Sequence, residues 1–243
     1  MRKKQHLFII FGTTSGLGKA LHEVISAKPE HDCCIINRRA IKTTTKTTSL
    51  QFDMSRTATP LFLKQLWRTL SAHDYESISL IANAATVEPV GPLGTLDARS
   101  CHDAFHVNIT NYILFINAFI QQTIKHKKIR KNIVLLSTGA AVSPQPGLAV
   151  YCSTKAALEM LAQCIFVEQK DTKHVRVAAI RPGVVDTPMQ ARIRRSSVKQ
   201  FPKVKKYREL AATGLLASPG AVAEKIYAFI RDENFGSEPV ISL

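Results

Sequence analysis

Tyr151 and Lys155 stand four residues apart in Tyr151-Cys-Ser-Thr-Lys155, and the hydroxyl of Thr138 lies thirteen residues before the tyrosine. If the segment from Tyr151 to Val167 is helical, positions i and i+4 share one face, so a phenol and an ammonium group point into the same space. A free phenol has a pKa near ~10 and moves protons poorly at neutral pH. A fixed cation close by favours the phenolate and brings that pKa toward working pH. The chemistry expected of the pair is proton transfer, with Lys155 supplying the field. Spacing alone does not establish it, because tyrosine and lysine recur at helical spacing in many amphipathic helices.

The start of the chain supplies what such a pair would act beside. The apolar run Leu7-Phe-Ile-Ile-Phe11 leads into Gly12-Thr-Thr-Ser-Gly16-Leu-Gly18 and then a helical pattern carrying Ala20, Leu21, Val24 and Ile25. Strand, glycine turn and helix in that order suit a dinucleotide. Glycines admit a pyrophosphate close to the backbone, and the helix N-terminus offers unpaired N–H groups and the positive end of a dipole. Gly12, Thr14, Ser15, Gly16, Leu17 and Gly18 are the candidate contacts.

The elements that must hold these groups are legible as alternating patterns. Apolar runs suited to strands recur at Leu7–Phe11, Cys33–Ile36, Ser49–Phe52, Ile78–Ala82, Ile133–Leu136, Val175–Ile180 and Val240–Ile241, with helical periodicity between most of them. Strands in alternation with helices imply an α/β fold with a parallel sheet covered on both faces. At 243 residues and 45% hydrophobic content, the chain is expected to form one domain without a linker. The segment Val107–Ile120 is the longest apolar helix candidate. It is interrupted by Asn108, Asn111 and Asn117 and suits a core or a subunit interface better than lipid. Arg2-Lys-Lys4 precedes an apolar run too short for a membrane span, so a cytoplasmic chain with no membrane partner is expected. The five cysteines lack paired spacing, which disfavours zinc and a disulfide framework. Of the eight histidines only His102 and His106 share helical spacing, with no third ligand in view, so no metal site is expected.

The residues together resemble the short-chain dehydrogenase/reductase family: the glycine turn, Asn83-Ala-Ala85 after a strand, Asn108, Ser137-Thr138 after another strand, Tyr151 with Lys155, and Pro182-Gly183 after the next. The resemblance covers nearly the whole chain. It implies a single Rossmann-type, doubly wound domain with a seven-stranded parallel sheet, a nicotinamide cofactor and redox chemistry between a hydroxyl and a carbonyl. Carried onto this chain, it makes Tyr151 the proton donor. Lys155 would lower its pKa and hold the nicotinamide ribose, and Asn108 would sustain a water-linked proton relay. The family's carbonyl-orienting serine corresponds to Thr138; Ser137 is one position early, and neighbours on a strand face opposite ways. Asn83, Pro182, Gly183, Val185, Tyr151 and Lys155 would border the cofactor. Thr187 would either touch its amide or, with Asp186, cap the next helix. The resemblance further implies a substrate lid around 188–216. It also implies a homodimer or homotetramer formed through the helices at Cys101–Lys125 and Tyr151–Val167.

Charge decides the expected cofactor. An acid after the second strand would bind an adenine-ribose 2′-hydroxyl, whereas arginine there accommodates a 2′-phosphate. The chain reads Asn37-Arg38-Arg39 at that point, so NADPH is expected, with Arg38 on the phosphate and Asp53 resembling the family's adenine contact. A narrower resemblance, to the sepiapterin reductase and benzil reductase branch, is carried by Tyr151–Leu161, Arg181–Gln190 and Asp232–Gly236. The tail Pro239–Leu243 lacks the aspartate that anchors a pterin. The expected substrate is therefore a small carbonyl compound, a vicinal diketone of benzil type, with a pterin reductase or a catalytically silent dinucleotide-binding protein as alternatives. Lys plus Arg number 33 against 18 acids, a net charge of +15, clustered at Lys125–Lys131 and Arg192–Arg208. The first cluster is expected to be a solvated loop. With few aromatic residues interleaved, neither cluster implies specific nucleic-acid binding.

Overall fold

The computed structural model describes residues 6–70, 75–172 and 175–243, and the side chains of residues 69 and 70 fall outside that description. Arg2, Lys3, Lys4, His73 and His174 also lie outside the described residues. The strands are β1 (His6–Phe11), β2 (His31–Asn37), β3 (Thr47–Gln51), β4 (Ser77–Ala82), β5 (Arg130–Leu136), β6 (Arg176–Arg181) and β7 (Val240–Ser242). The helices are α1 (Gly16–Ser26), α2 (Pro60–Leu70), α3 (Ala98–Phe105), α4 (Asn111–Thr123), α5 (Ala149–Gln169), α6 (Pro188–Arg194), α7 (Val204–Ala212) and α8 (Pro219–Arg231). All seven strands are parallel in the order β3-β2-β1-β4-β5-β6-β7, a single doubly wound α/β domain.

Burial on both faces explains why the strands read as continuous apolar runs rather than alternating ones. Phe8, Ile10, Ile35, Val134 and Ile180 face α1 and α8, where they meet Leu21, Ile25, Val222 and Ile226. Leu7, Ile9, Phe11, Leu80, Ile133 and Leu135 point the other way, onto Tyr112, Phe115 and Phe119 of α4 and Leu158 and Ile165 of α5. A third, separate apolar cluster joins Val87 and Leu148 of the body to Ile193, Phe201 and Val204 of the α6–α7 segment.

Three details depart from the expectations. The helix expected at Val107–Ile120 is broken at its start by a π-helical turn, His106–Thr110, between α3 and α4. The last residues of the first basic cluster are not loop: Arg130 and Lys131 open β5, and Lys131 is only 1% exposed. Its register opposite Ile78 turns its side chain inward, and burial holds its ammonium below the usual lysine range. Finally, α5 is long and apolar enough by length and composition to cross a membrane. Its buried face nevertheless carries Thr154, Lys155 and Glu159 and is packed on the sheet.

The N-terminal edge of the sheet contains two buried histidines whose rings meet edge-on at 5.1 Å. His6 Nδ1 lies 2.8 Å from Ser77 Oγ and its Nε2 lies 2.8 Å from Arg231 Nη1, while His31 Nε2 lies 2.8 Å from Tyr227 Oη. Burial first, and then the charge of Arg231, pushes His6 down to about 4. Burial also lowers His31. Because these folded-state values lie below the unfolded one, the unfolded chain takes up protons first. The stability is full above the ordinary histidine range and declines as pH falls toward 4. The expected loss from His6 over that interval is on the order of 2 to 3 kcal/mol. Thermal unfolding of the wild type and of His6→Asn between those limits checks it: the variant's Tm should depend less on pH, and parallel curves would contradict the assignment.

Candidate active site

A cleft of about 590 Å³ opens at the C-terminal ends of β1, β4, β5 and β6. It sits where the strand order reverses between β1 and β4, the position at which open α/β sheets bind ligands. Gly12, Thr14, Ser15, Gly16, Leu17, Gly18, Arg38, Asp53, Asn83, Thr138, Tyr151, Lys155, Pro182, Gly183, Val185 and Thr187 all border it. Of the catalytic and cofactor-binding candidates, Asn108 does not.

The glycine turn is shaped by contacts that exclude side chains. Gly12 and Gly16 have φ of 77° and 56°, in the left-handed region. At Gly18 a Cβ would lie 2.0 Å from Gly12 O and 2.2 Å from Asn83 Nδ2, so no larger residue fits. Asn83 earns that proximity by donating from Nδ2 to Phe11 O at 3.0 Å and Gly12 O at 2.8 Å, which ties the turn to the end of β4. Asn37 Oδ1 accepts from Thr13 N at 2.7 Å and fixes the other side. Ser15 occupies the N-cap of α1 without a side-chain capping bond, so the first N–H groups of that helix have no side-chain acceptor. A backbone cradle closed to side chains, beside an uncapped helix start, fits a pyrophosphate. Further along, Arg38 is exposed at the end of β2. Asp53 accepts from Ser55 N at 3.0 Å and Ser55 Oγ at 2.9 Å, and these bonds hold its carboxyl below the usual range.

The opposite end of the cleft carries the hydroxyls. The first turns of α5 place Tyr151 and Lys155 on one face, with Lys155 Nζ 5.9 Å from the centre of the Tyr151 ring. Lys155 donates to Leu136 O, the last carbonyl of β5, at 2.7 Å. Burial lowers Lys155 to about 8, against the opposing charge of Glu159. Tyr151 does not show the lowered pKa expected from its lysine. Burial raises it well above the usual phenol value, the neighbouring Cys152 adds to the rise, and a hydrogen bond with Thr138 opposes it. The desolvation of the phenol outweighs a cation whose ammonium is already engaged by a backbone carbonyl. A phenol so placed remains protonated at neutral pH, the form a proton donor requires.

Neighbouring hydroxyls on β5 have separate partners. Thr138 borders the cleft beside Tyr151 and accepts from Ala140 N at 3.3 Å, capping the 3₁₀ turn Gly139–Ala141. Ser137 Oγ donates to Glu159 Oε1 at 2.6 Å. Glu159 also accepts from Arg181 Nε at 2.8 Å and Arg181 Nη2 at 2.6 Å, a bidentate pair joining α5 to the end of β6 beneath the cleft. That pair escaped the sequence reading, although Glu159 follows Lys155 by one helical turn and could have been flagged by that spacing.

Asn108 has a different placement from the relay expected of it. It is fully buried in the π-helical turn, where Oδ1 accepts from Thr86 N at 2.8 Å and Nδ2 donates to Thr86 O at 2.8 Å and Thr154 Oγ1 at 3.0 Å. Its side chain braces the loop after β4 against α5 and does not reach the cleft. Thr187 is the N-cap of α6, with Oγ1 accepting from Gln190 N at 3.2 Å. Asp186 takes no part in the cap and instead faces Arg194 at 3.4 Å. Met189, Arg192, Ile193 and Tyr207, all within the span 188–216 expected to form a lid, and Val87, Glu88 and Leu148 of the body complete the wall. Glu88 and Arg192 form an ion pair across the mouth. Among the described residues no group of three His, Cys, Asp or Glu side chains is placed to hold a metal.

Comparison with known proteins agrees with this geometry. Residues 6–197 match the family described as short chain dehydrogenase. A benzil reductase ((S)-benzoin forming) of Bacillus cereus is 30% identical over 246 residues, covering 97% of this chain and 98% of that protein. Mouse (Mus musculus) sepiapterin reductase is 28% identical over 165 residues, 67% of this chain and 61% of that protein. Among solved structures, the KRED1-Pglu enzyme superposes with a TM-score of 0.83 at 22% identity, covering 98% of this chain and all of that one, which speaks to the fold.

Proposed function

The chain belongs to the short-chain dehydrogenase family of oxidoreductases, and on that premise we propose that it is an NADPH-dependent carbonyl reductase whose substrates are vicinal diketones of the benzil type. The observation that carries this reading is the meeting of Tyr151, Thr138, Lys155 and a glycine cradle in one cleft. The bound cofactor supplies hydride to the carbonyl carbon. Tyr151 gives its phenolic proton to the carbonyl oxygen, so the C=O bond becomes CH–OH and the phenol is left to be reprotonated. Thr138 holds that oxygen in range. These donors are positioned before charge develops on the oxygen, which is where preorganisation lowers a barrier. Lys155, fixed by Leu136 O, holds positive charge beside the phenolate as it forms and would hold the nicotinamide ribose of a bound cofactor. Gly12, Thr14, Ser15, Gly16, Leu17 and Gly18 would take the pyrophosphate, Asp53 and Asn83 the adenosine half, and Pro182, Gly183, Val185 and Thr187 the nicotinamide. Asn108 serves through the loop it braces.

The 2′-phosphate preference rests on Arg38, which borders the cleft at the end of β2 where no carboxylate stands. Replacing Arg38 by alanine is expected to raise KM for NADPH roughly 10-fold or more and leave NADH kinetics nearly unchanged, because only the phosphate uses the guanidinium. An equal effect on both cofactors would remove the assignment. The substrate class is tested by following oxidation of NADPH with benzil, sepiapterin and simple aldehydes. Benzil should be preferred, since the tail Pro239–Leu243 carries no acid to pair with a pterin's ring nitrogens; turnover of sepiapterin alone would reverse the choice. The segment 188–216 acts as the substrate lid: it contributes Met189, Arg192, Ile193 and Tyr207 to the wall. Exposed Phe105 and Ile113 on α3 and α4, with Met160 and Val167 on α5, support a homodimer or homotetramer built on those helices in the cytoplasm.

A further inference from the structure

The substrate end of the cleft has two phenols, and the reaction above uses one. Tyr207 projects from α7 into the same wall as Tyr151, Leu148 and Met189. Its ring rests on Phe201, 5.3 Å between centres, and Phe201 is itself fully buried, so the ring's position is set by packing. The two phenols are close enough that Tyr207 contributes electrostatically to the raised pKa of Tyr151. Burial raises Tyr207 as well, so it is a neutral donor at physiological pH. Among the described residues no hydrogen bond occupies its hydroxyl.

The two charged groups at this end are satisfied by one another, while Gln190 Nε2, of a residue that also borders the cleft, has no partner among the described residues. Arg192 and Glu88 neutralise each other across the mouth, and the second carboxylate oxygen of Glu88 accepts from Val90 N at 3.2 Å. A substrate carboxylate would have to break that pair, whereas an uncharged second oxygen would not. Val87, Leu148, Met189 and Ile193 make most of the remaining lining here apolar.

We propose that Tyr207 is a specificity-determining residue, its hydroxyl donating to the second carbonyl oxygen of a neutral 1,2-dicarbonyl substrate while Tyr151 and Thr138 hold the first. The inference rests on the carbonyl-reductase reading and adds to it the reason an adjacent carbonyl is preferred. A site built to donate to a substrate oxygen discriminates against the analogue that lacks it, because the donor is then left unpaired. The orientation it imposes also selects which of the two carbonyls meets Tyr151.

Benzil and deoxybenzoin share a skeleton and differ only in the second carbonyl, so the ratio of their kcat/KM values reads this contact directly. In Tyr207→Phe that ratio should fall about 5- to 10-fold, through KM for benzil more than through kcat. A purely structural role for the ring would leave the ratio unchanged, because phenylalanine keeps the packing on Phe201 and loses only the hydroxyl. An unchanged ratio, or an equal loss with both ketones, overturns the proposal. Failure of the underlying reading is separately visible as no oxidation of NADPH with any diketone. In that case benzil and deoxybenzoin affinities, measured by calorimetry on the NADPH-saturated protein, still score the hydroxyl: loss of benzil's advantage in Tyr207→Phe supports the contact, and absence of benzil binding overturns it.

Discussion

Phenylalanine at position 151 is expected to lower kcat for benzil about a thousandfold while changing the affinity for NADPH little. A positioned general acid contributes roughly 10²- to 10⁴-fold, and the phenol of Tyr151 is the proposed donor, bordering the cleft with Thr138 and the glycine cradle. Burial keeps this phenol protonated, so the wild-type enzyme holds the proton until an alkoxide forms within reach. The substituted ring retains the packing against Cys152 and the lid, which confines the deficit to proton delivery. Steady-state rates with benzil, together with cofactor binding by quenching of protein fluorescence, separate the two quantities. A kcat within tenfold of the wild type would mean that another group delivers the proton and that the mechanism assigned here is wrong.

Alanine at position 159 is expected to destabilise the protein by about 3 to 4 kcal/mol without touching the substrate. Glu159 is 4% exposed and accepts from Ser137 and, through both oxygens, from Arg181. Burial works to raise its pKa, but the hydrogen bonds from Arg181 and Ser137 and the charges of Arg181 and Lys155 prevail, and the net shift is downward. Removing the buried carboxylate leaves a partly buried guanidinium and the Ser137 hydroxyl without their partner, which is why breaking such pairs costs more than the pairs contribute. For a chain of this size the loss corresponds to a Tm lower by about 6 to 16 °C. Because the folded-state pKa is depressed, this stabilisation is complete above the ordinary carboxylate range and disappears as pH falls through the lowered value. The gap between wild type and Glu159→Ala should therefore narrow in acid. Urea titrations at neutral and acidic pH measure it, and a difference below about 1 kcal/mol at neutral pH would show that the pair is solvated rather than structural. A secondary consequence appears at Lys155: Glu159 opposes the downward pull of burial there, so its removal should lower the lysine further.

The sheet was readable in advance because parallel strands buried on both faces leave an unbroken apolar signature. All seven runs noted in the sequence are strands, and the glycine turn occurs where strand and helix flank it. What stayed hidden depends on contacts between distant segments. A single π-helical turn shifts the register by one residue and hardly disturbs apolar periodicity, so Asn108 was read as part of a regular helix. Glu159 and Arg181 are separated by an entire crossover, and each alone reads as an ordinary surface charge. Tyr207 lies in a strongly basic stretch that masks its inward face, which only the packing on Phe201 reveals. The pKa of Tyr151 was misjudged for a related reason. Spacing locates the lysine, but it says nothing of the desolvation that a surrounding wall imposes.

The lid's hydrophobic contacts form a cluster of their own, distinct from the two that hold the sheet to its helices. Mutations that reshape Met189, Ile193 or Tyr207 therefore draw on a reserve of cohesion that β1, α1 and α8 do not share. Substitutions at those positions are expected to disturb the packing of the sheet on its helices little.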